Sequence, residues 1–293
     1  LGASHHDLIV ASNDAINIIP ALSNIYDEPF ADPSQIPMVL LSKFVKPHVS
    51  VSLSGDGGDE VFGGYNRYVW GESVYNIIDK VPNIFRGPFG SVLNYLSQEK
   101  FQNYINASFS VLPKNMRVSL PSDKLRKISK IMHSKSHVEM YKALTQASEA
   151  SLILKNDQYI NIKNYSKYWN DGNSSVESMM FTDRKTYLVD DILVKTDRAT
   201  MSVGLENRSP FLNNEVFTFA DSLSDNYKIR NKKGKWILKE LLGRYIPNSY
   251  TDRPKAGFSI PIGDWLRGPL KEWASSLISK EIIDKYNYLD FKY

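Results

Sequence analysis

Asp56, Asp59 and Glu60 stand beside Gly55, Gly57 and Gly58 in the run SGDGGDEVFGG, Ser54–Gly64. Glycine reaches backbone conformations closed to other residues and lets a ligand approach the main chain. Successive free amides ahead of a helix N-terminus receive phosphate oxygens, which makes Gly55, Gly57 and Gly58 the candidate phosphate-binding residues. Carboxylates repel phosphate unless a cation intervenes, and Mg²⁺ is the hard ion that both share. Asp59 is therefore the candidate magnesium ligand. Asp56 is expected to project across the reacting centre, and Glu60, at the start of the helix, to position or cap. The plainer reading is an acidic turn without catalysis, but the run fits neither the EF-hand spacing nor GxxxxGK followed by Ser or Thr.

A second constellation is TDRPKAGFSIPIGDWL, Thr251–Leu266. Arg253 and Lys255 lie in a loop bounded by proline and glycine, where a lysine can stabilise charge developing on a carbonyl or phosphoryl oxygen. Phe258, Ile260, Ile262 and Trp265 are expected to anchor that loop by burial. A basic loop is more often solvated surface. The third constellation, DILVKTDRATMSVGLENRSPFLN, spans Asp190–Asn213. Asp190, Asp191, Lys195, Asp197 and Arg198 are too many charges for a helix buried all round. An ion-pair network that fixes structure is the default, with Arg198 kept as a candidate contact to phosphate, as on a bound nucleotide, or to substrate. His133 and His137 stand four apart on an expected helix without an HExxH motif, and they read as ordinary surface or core histidines.

These residues need a scaffold. At 293 residues, with 42% hydrophobic and 23% charged residues, the chain has the composition of a globular protein with a sizeable core. It has no cysteine, which excludes disulfides, thiolate metal sites and a cysteine nucleophile within it. Its longest apolar runs, such as Pro37–Leu41, are too short to cross a bilayer, and Leu1–Asp14 has no signal-peptide pattern. The net charge of +4 is mild; the excess is local to Tyr227–Trp273, which suits small anions as well as a nucleic-acid backbone. No basic groove pattern accompanies the aromatic residues, so nucleic acid and membrane are not expected partners.

Along the chain, Asp7–Val10 is expected as a short strand and Ala15–Ile25 as a helix that Pro20 kinks or divides. A turn-rich loop follows over Tyr26–Pro37. Ser34 is expected to cap a helix over Met38–Val45. Val49–Leu53 reads as a buried parallel strand running directly into the glycine-rich loop and a helix, the order that places ligands at the carboxyl edge of a parallel sheet. After Tyr65 no further strand is evident. Helical patterns cover Ser91–Ser151, then Ser175–Met201 as one helix or two, then Gly234–Tyr245.

Four segments, DEPFADPSQIP (Asp27–Pro37), LSGDGGDEVFGGYNRY (Leu53–Tyr68), Asp190–Asn213 and RPKAGFSIPIGDWLRGPL (Arg253–Leu270), occur in this order, and together they resemble the synthetase domain of class II glutamine-dependent asparagine synthetases. The resemblance implies an α/β fold: a partial parallel sheet of the adenine-nucleotide α-hydrolase type in residues 1–75. A mostly helical lobe would follow in residues 76–293, packing back on the site through 190–213 and 251–270. It implies ATP and Mg²⁺ as cofactors, and adenylation of the aspartate side chain followed by attack of ammonia. That ammonia would come from glutamine in a glutaminase domain absent here. By position Ser54 and Gly55 resemble the nucleotide contacts, Asp59 the magnesium–pyrophosphate ligand, Asp56 an acid needed for the adenylate step, and Lys255 the lysine that stabilises pyrophosphate and transition state.

Two features depart from the family pattern. Asn213 replaces the aspartate of PFLD, and the SGGxDS pyrophosphate loop of the first strand is missing; separately, the sequence does not begin with methionine. The chain is accordingly expected to be an N-terminally truncated, inactive fragment of a cytoplasmic enzyme, with a homodimer as the open oligomeric expectation. Synthetases acting on other acids, in β-lactam or cell-surface sugar and peptide pathways, and a non-catalytic truncated module are the alternatives.

Overall fold

A computed structural model describes residues 2–97, 122–146, 153–155, 165–251 and 260–290. Its first helix, α1 (Ser12–Tyr26), runs unbroken through Pro20. Asp7–Val10 is not a strand but irregular chain, without a ladder partner among the described residues. The second helix, α2 (Gln35–Val45), starts three residues earlier than expected, with Pro37 in its first turn, where a missing N–H costs nothing. Ser34 does not cap it: its hydroxyl donates instead to Asp32 Oδ2 at 2.7 Å.

Strand β1 (Val51–Leu53) leads into α3 (Gly58–Phe62) through the glycine-rich loop. It pairs in parallel with β2 (Glu206–Arg208), Val51 opposite Glu206 and Leu53 opposite Arg208. A strand after Tyr65 therefore does exist. ENR carries no apolar period, so only its parallel partner reveals it. Nor is β1 buried among the described residues: Leu53 is 73% exposed, and the sheet has these two strands alone. The hairpin of β3 (Ile229–Arg230) and β4 (Lys233–Gly234) is a second small sheet, turning at Asn231 and Lys232, both with positive φ.

Helices supply most of the core. Ala15, Ile18 and Tyr26 of α1 pack on Ile36 and Val39 of α2 and on Ala199 of the helix that precedes β2. Trp265 of the helix Ile262–Arg267 and Leu270 close this cluster, with Ile260 and Ile262 against it. Trp265 is thus the anchor foreseen for its segment. Trp265→Ala is expected to cost about 3 kcal/mol, read as a lower urea midpoint with an unchanged slope. Phe258, Arg253 and Lys255 lie outside the described residues.

A second helical body carries α4 (Asn66–Asp79), α5 (Asn83–Leu96), α6 (Ser122–Met132), α7 (His137–Thr145) and α8 (Ser175–Lys185). Tyr68, Tyr141, Val176, Met179 and Met180 form one apolar cluster there, and Tyr75, Ile78, Ile131, Met132 and Met140 another. His133 follows α6 and His137 opens α7, so the two do not share a helix face; His137 stacks on Tyr75 at 3.8 Å. Among the described residues no helix is long and apolar enough to cross a membrane. The result is a mixed α/β chain: a partial nucleotide-binding layer beside a helical lobe.

Candidate active site

The stretch expected as one or two helices over Ser175–Met201 divides into α8, a π-helical turn (Leu188–Ile192) and α9 (Leu193–Met201). From α9 the chain turns through Ser202–Leu205 into β2, with Leu205 N–H bonding back to Thr200 O at 3.0 Å. A helix joined to a strand by so tight a turn, and packed against it, runs antiparallel to that strand. The N-terminal end of α9 therefore lies at the carboxyl edge of the sheet. Asp32, just ahead of α2, is held at the same end by Lys195 Nζ at 2.6 Å, so the start of α2 lies beside the start of α9. Both helix N-termini thus converge on the edge where the glycine-rich loop leaves β1.

That loop is held from beneath. Ser54 N–H donates to Arg208 O at 2.9 Å, extending the ladder one residue. Ser54 Oγ donates to Asp56 Oδ2 at 2.9 Å, accepts from Asn207 Nδ2 at 3.0 Å, and lies 3.1 Å from Ser209 Oγ. Gly57 has φ +81°, and a Cβ there would collide with Leu212. Its glycine is thus demanded twice, by backbone and by space. Gly55 has open space around it, and Gly58 opens α3.

The three carboxylates separate. Asp56 stays beside Ser54 at the loop. Asp59 Oδ1 meets Lys235 Nζ at 3.1 Å, with both side chains partly exposed. Lys235 takes the N-terminal position of the helix α11 (Trp236–Leu242), following α10 (Asn214–Ser222), at a left-handed φ of 55°. Its N–H donates to Phe62 O at 3.2 Å, which clamps this helix to the end of α3. Glu60 is 1% exposed and turned inward rather than into the loop. It accepts from Tyr65 Oη at 2.6 Å, and burial pushes its carboxyl up against that hydrogen bond.

Beneath Glu60 an ionic layer continues. Asp183 is fully buried and accepts from Arg67 Nε at 2.8 Å, from Tyr141 Oη at 2.6 Å and from Tyr68 Oη. Burial alone would lower the Arg67 guanidinium, but the Asp183 charge overrides it and holds Arg67 above its ordinary value. Arg67 also lies over Tyr65, 4.0 Å from the ring centroid, and within 5.3 Å of the Tyr187 ring.

Tyr187 leads to the third group, at the N-termini of α2 and α9. Lys195 Nζ donates to Asp32 Oδ2 at 2.6 Å and lies 3.8 Å from Asp191 Oδ1. Hydrogen bonds from Lys195 and Ser34 overcome burial and hold Asp32 below the usual carboxylate range. Burial, then the neighbouring charge of Asp32, pushes Asp191 up to about 6. A carboxyl raised in the folded state gives stability that is full below its unfolded value, 3.8, and is lost as pH rises through about 6. Asp191→Asn is therefore expected to raise the melting temperature, relative to the unchanged chain, more at about pH 7.5 than at about pH 4. An equal effect at both would contradict the raised value.

Of the residues expected at the site, Ser54, Gly55, Asp56 and Gly57 lie in the loop after β1, and Gly58 and Asp59 in the first turn of α3. Arg198 is exposed on α9, one turn beyond Lys195, and has no ion pair among the described residues. The expectation of an ion-pair network in this helix fits Lys195 with Asp32 and Asp191, and fits the exposed Arg208–Glu206 pair at 2.8 Å. Sequence pattern alone does not mark Asp32, Lys235, Asn207 or Ser209 as site residues. Asp32 stands in the quoted DEPFADPSQIP motif, and Lys235 in the basic tract, but nothing in spacing ties either to a loop so distant in sequence.

The donor set bears on a metal. Among the described residues no group of three or more His, Cys, Asp or Glu could hold one. Mg²⁺ keeps several waters and takes one or two carboxylates with substrate phosphates, so a single partly exposed Asp59 suits that role and not an all-protein cage.

The sequence profile of the family described as Asparagine synthase matches residues 1–293. The chain is 28% identical over 99% of its length to the glutamine-hydrolyzing asparagine synthetase 1 of Bacillus subtilis, covering 43% of that protein. A protein of Mycobacterium tuberculosis described as a "putative" glutamine-hydrolyzing asparagine synthetase is 30% identical over 95% of the chain, with 40% of its own length covered. No solved structure matches the chain. A parallel strand running into a glycine-rich loop at the carboxyl edge is consistent with a partial nucleotide-binding α/β layer. The chain belongs to the asparagine synthase family. It spans less than half the length of these curated relatives.

Proposed function

We propose that this chain is the synthetase portion of an enzyme that amidates the side chain of aspartate, using ATP to form an aspartyl-adenylate and ammonia to displace AMP. What supports the reading is that the Ser54–Gly58 loop and the Asp59–Lys235 pair follow β1 at the sheet edge toward which the N-terminus of α9 points, with Asp32 bonded to Lys195 there. Loop amides receive phosphate oxygens without a charge of their own. Asp59 would hold Mg²⁺, which supplies charge neutralisation on the phosphates when bound. Lys235 balances Asp59 until then. Asp56, kept at the loop by Ser54, is the carboxylate nearest the reacting centre, and Lys255 is proposed to stabilise pyrophosphate from its own segment. Glu60 serves by position, fixing α3 through Tyr65, and Arg198 remains a proposed nucleotide contact.

The division into residues 1–75 and 76–293 belongs to the same reading. So do a glutaminase domain outside this stretch, supplying ammonia from glutamine, and a cytoplasmic location. The isolated 293-residue chain is proposed not to form the adenylate efficiently, because Asp59 supplies one side of the metal clamp and the sheet has, among the described residues, two short strands. ATP–pyrophosphate exchange decides it, run on this chain and on the full-length protein of its gene. Aspartate-dependent exchange in the full-length protein alone is expected. Robust exchange in the isolated chain refutes its inactivity, and no exchange with aspartate in either refutes the proposed reaction.

A further inference from the structure

We propose that Asp191 and Lys195 read the amino-acid head of the substrate, Asp191 accepting hydrogen bonds from its α-ammonium and Lys195 donating to its α-carboxylate, with Asp32 holding Lys195 in place. The proposal rests on the amidation reading and assigns recognition within that site. Its first support is position: α9 packs on the parallel strand it precedes, so Lys195 and Asp191 at its start, with Asp32 bonded to Lys195, face the edge where the acid must meet the nucleotide.

Its second support is the acceptor inventory. Asp32 is saturated, since Oδ1 takes Ser34 N–H at 2.9 Å while Oδ2 takes Ser34 Oγ and Lys195 Nζ. Asp191 is not: its Oδ1 is closed to solvent and accepts no hydrogen bond, with Lys195 Nζ at 3.8 Å too far to donate. Two carboxylates against one ammonium also leave the group one positive charge short of neutral. The remaining titratable neighbours, Tyr26 and Tyr187, are phenols that Asp191 itself pushes further up, and they supply no cation. A primary ammonium offers the charge and the donors that Asp191 lacks.

The third support is the backbone. Asp191 sits in the π-helical turn, which inserts an extra residue into the helix and re-aims the side chains around it. Lys195 Nζ reaches Asp32 while Asp191 keeps 29% of its side chain exposed. A group serving only to staple α2 to α9 needs Lys195 and Asp32 but gains nothing from a second, poorly bonded acid.

The test compares L-aspartate, N-acetyl-L-aspartate and succinate by calorimetric titration of the full-length protein, with a non-hydrolysable ATP analogue titrated separately. Aspartate is expected to bind about tenfold or more tighter than the two acids that lack the ammonium. Asp191→Asn should erase that preference and leave the affinity for succinate unchanged, whereas Asp191→Glu should restore part of it. A merely structural Asp191 would move all three ligands together. Equal binding of aspartate and succinate, a preference that survives in Asp191→Asn, or no aspartate binding each overturns the proposal. If the ATP analogue fails to bind while the preference holds, the amidation reading falls and the recognition site stands.

Discussion

Replacing Asp183 with asparagine lowers the stability of the chain by about 3–5 kcal/mol, the largest single loss expected among its charged residues. The reason is the burial of its partner. Asp183 has no exposure, and Arg67, packed over Tyr65 and near Tyr187, finds its counter-charge there at 2.8 Å. Asparagine keeps the size but leaves the guanidinium uncompensated and gives Tyr68 and Tyr141 a weaker acceptor. Tyr141→Phe removes one hydrogen bond from the same cluster and is expected to cost only about 1 kcal/mol. Urea denaturation of the three proteins checks the ranking. A deficit below that of Tyr141→Phe would mean that the Arg67–Asp183 pair is solvated and does not hold α4 to α8.

The second large effect is functional. In the full-length protein Asp59→Asn is expected to lower aspartate-dependent ATP–pyrophosphate exchange by about 10²–10³-fold, as happens when a group stabilising transition-state charge is removed. The fold should tolerate it. Asp59 and Lys235 are partly exposed, so their pair contributes at most about 1 kcal/mol. Activity and stability therefore part company at Asp59 and fall together at Asp183. Exchange that survives Asp59→Asn within a few-fold would remove Asp59 from the reaction and leave it as the partner of Lys235 alone.

Both residues show what could be read early. Asp59 announces itself because carboxylates beside glycines after an apolar strand form a local pattern. Asp183 does not: it stands in an ordinary helical stretch, and its three donors come from Arg67, Tyr68 and Tyr141. The strand β2 was missed for a related reason. Glu206–Arg208 has no apolar alternation, and it becomes a strand because Val51–Leu53 is there to pair with it. In the opposite direction, Asp7–Val10 has the composition of a strand and no partner among the described residues.

Lys195 illustrates the boundary most clearly. Its charge, two acids nearby and a helical period were all visible, and an ion-pair network was the natural expectation. That the network closes on Asp32, 163 residues away, follows only from two parallel strands placing two helix N-termini side by side.

What the sequence by itself determined is local: the glycine-rich turn, the helices over much of the second half, the burial of Trp265, and the family, because each depends on residues close together in the chain or on motifs in a set order. What only the tertiary structure decided is pairing: β2 with β1, Lys235 with Asp59, Arg67 with Asp183, and Lys195 with Asp32. Charges find partners by distance in space, and spacing along the chain carries no record of that distance.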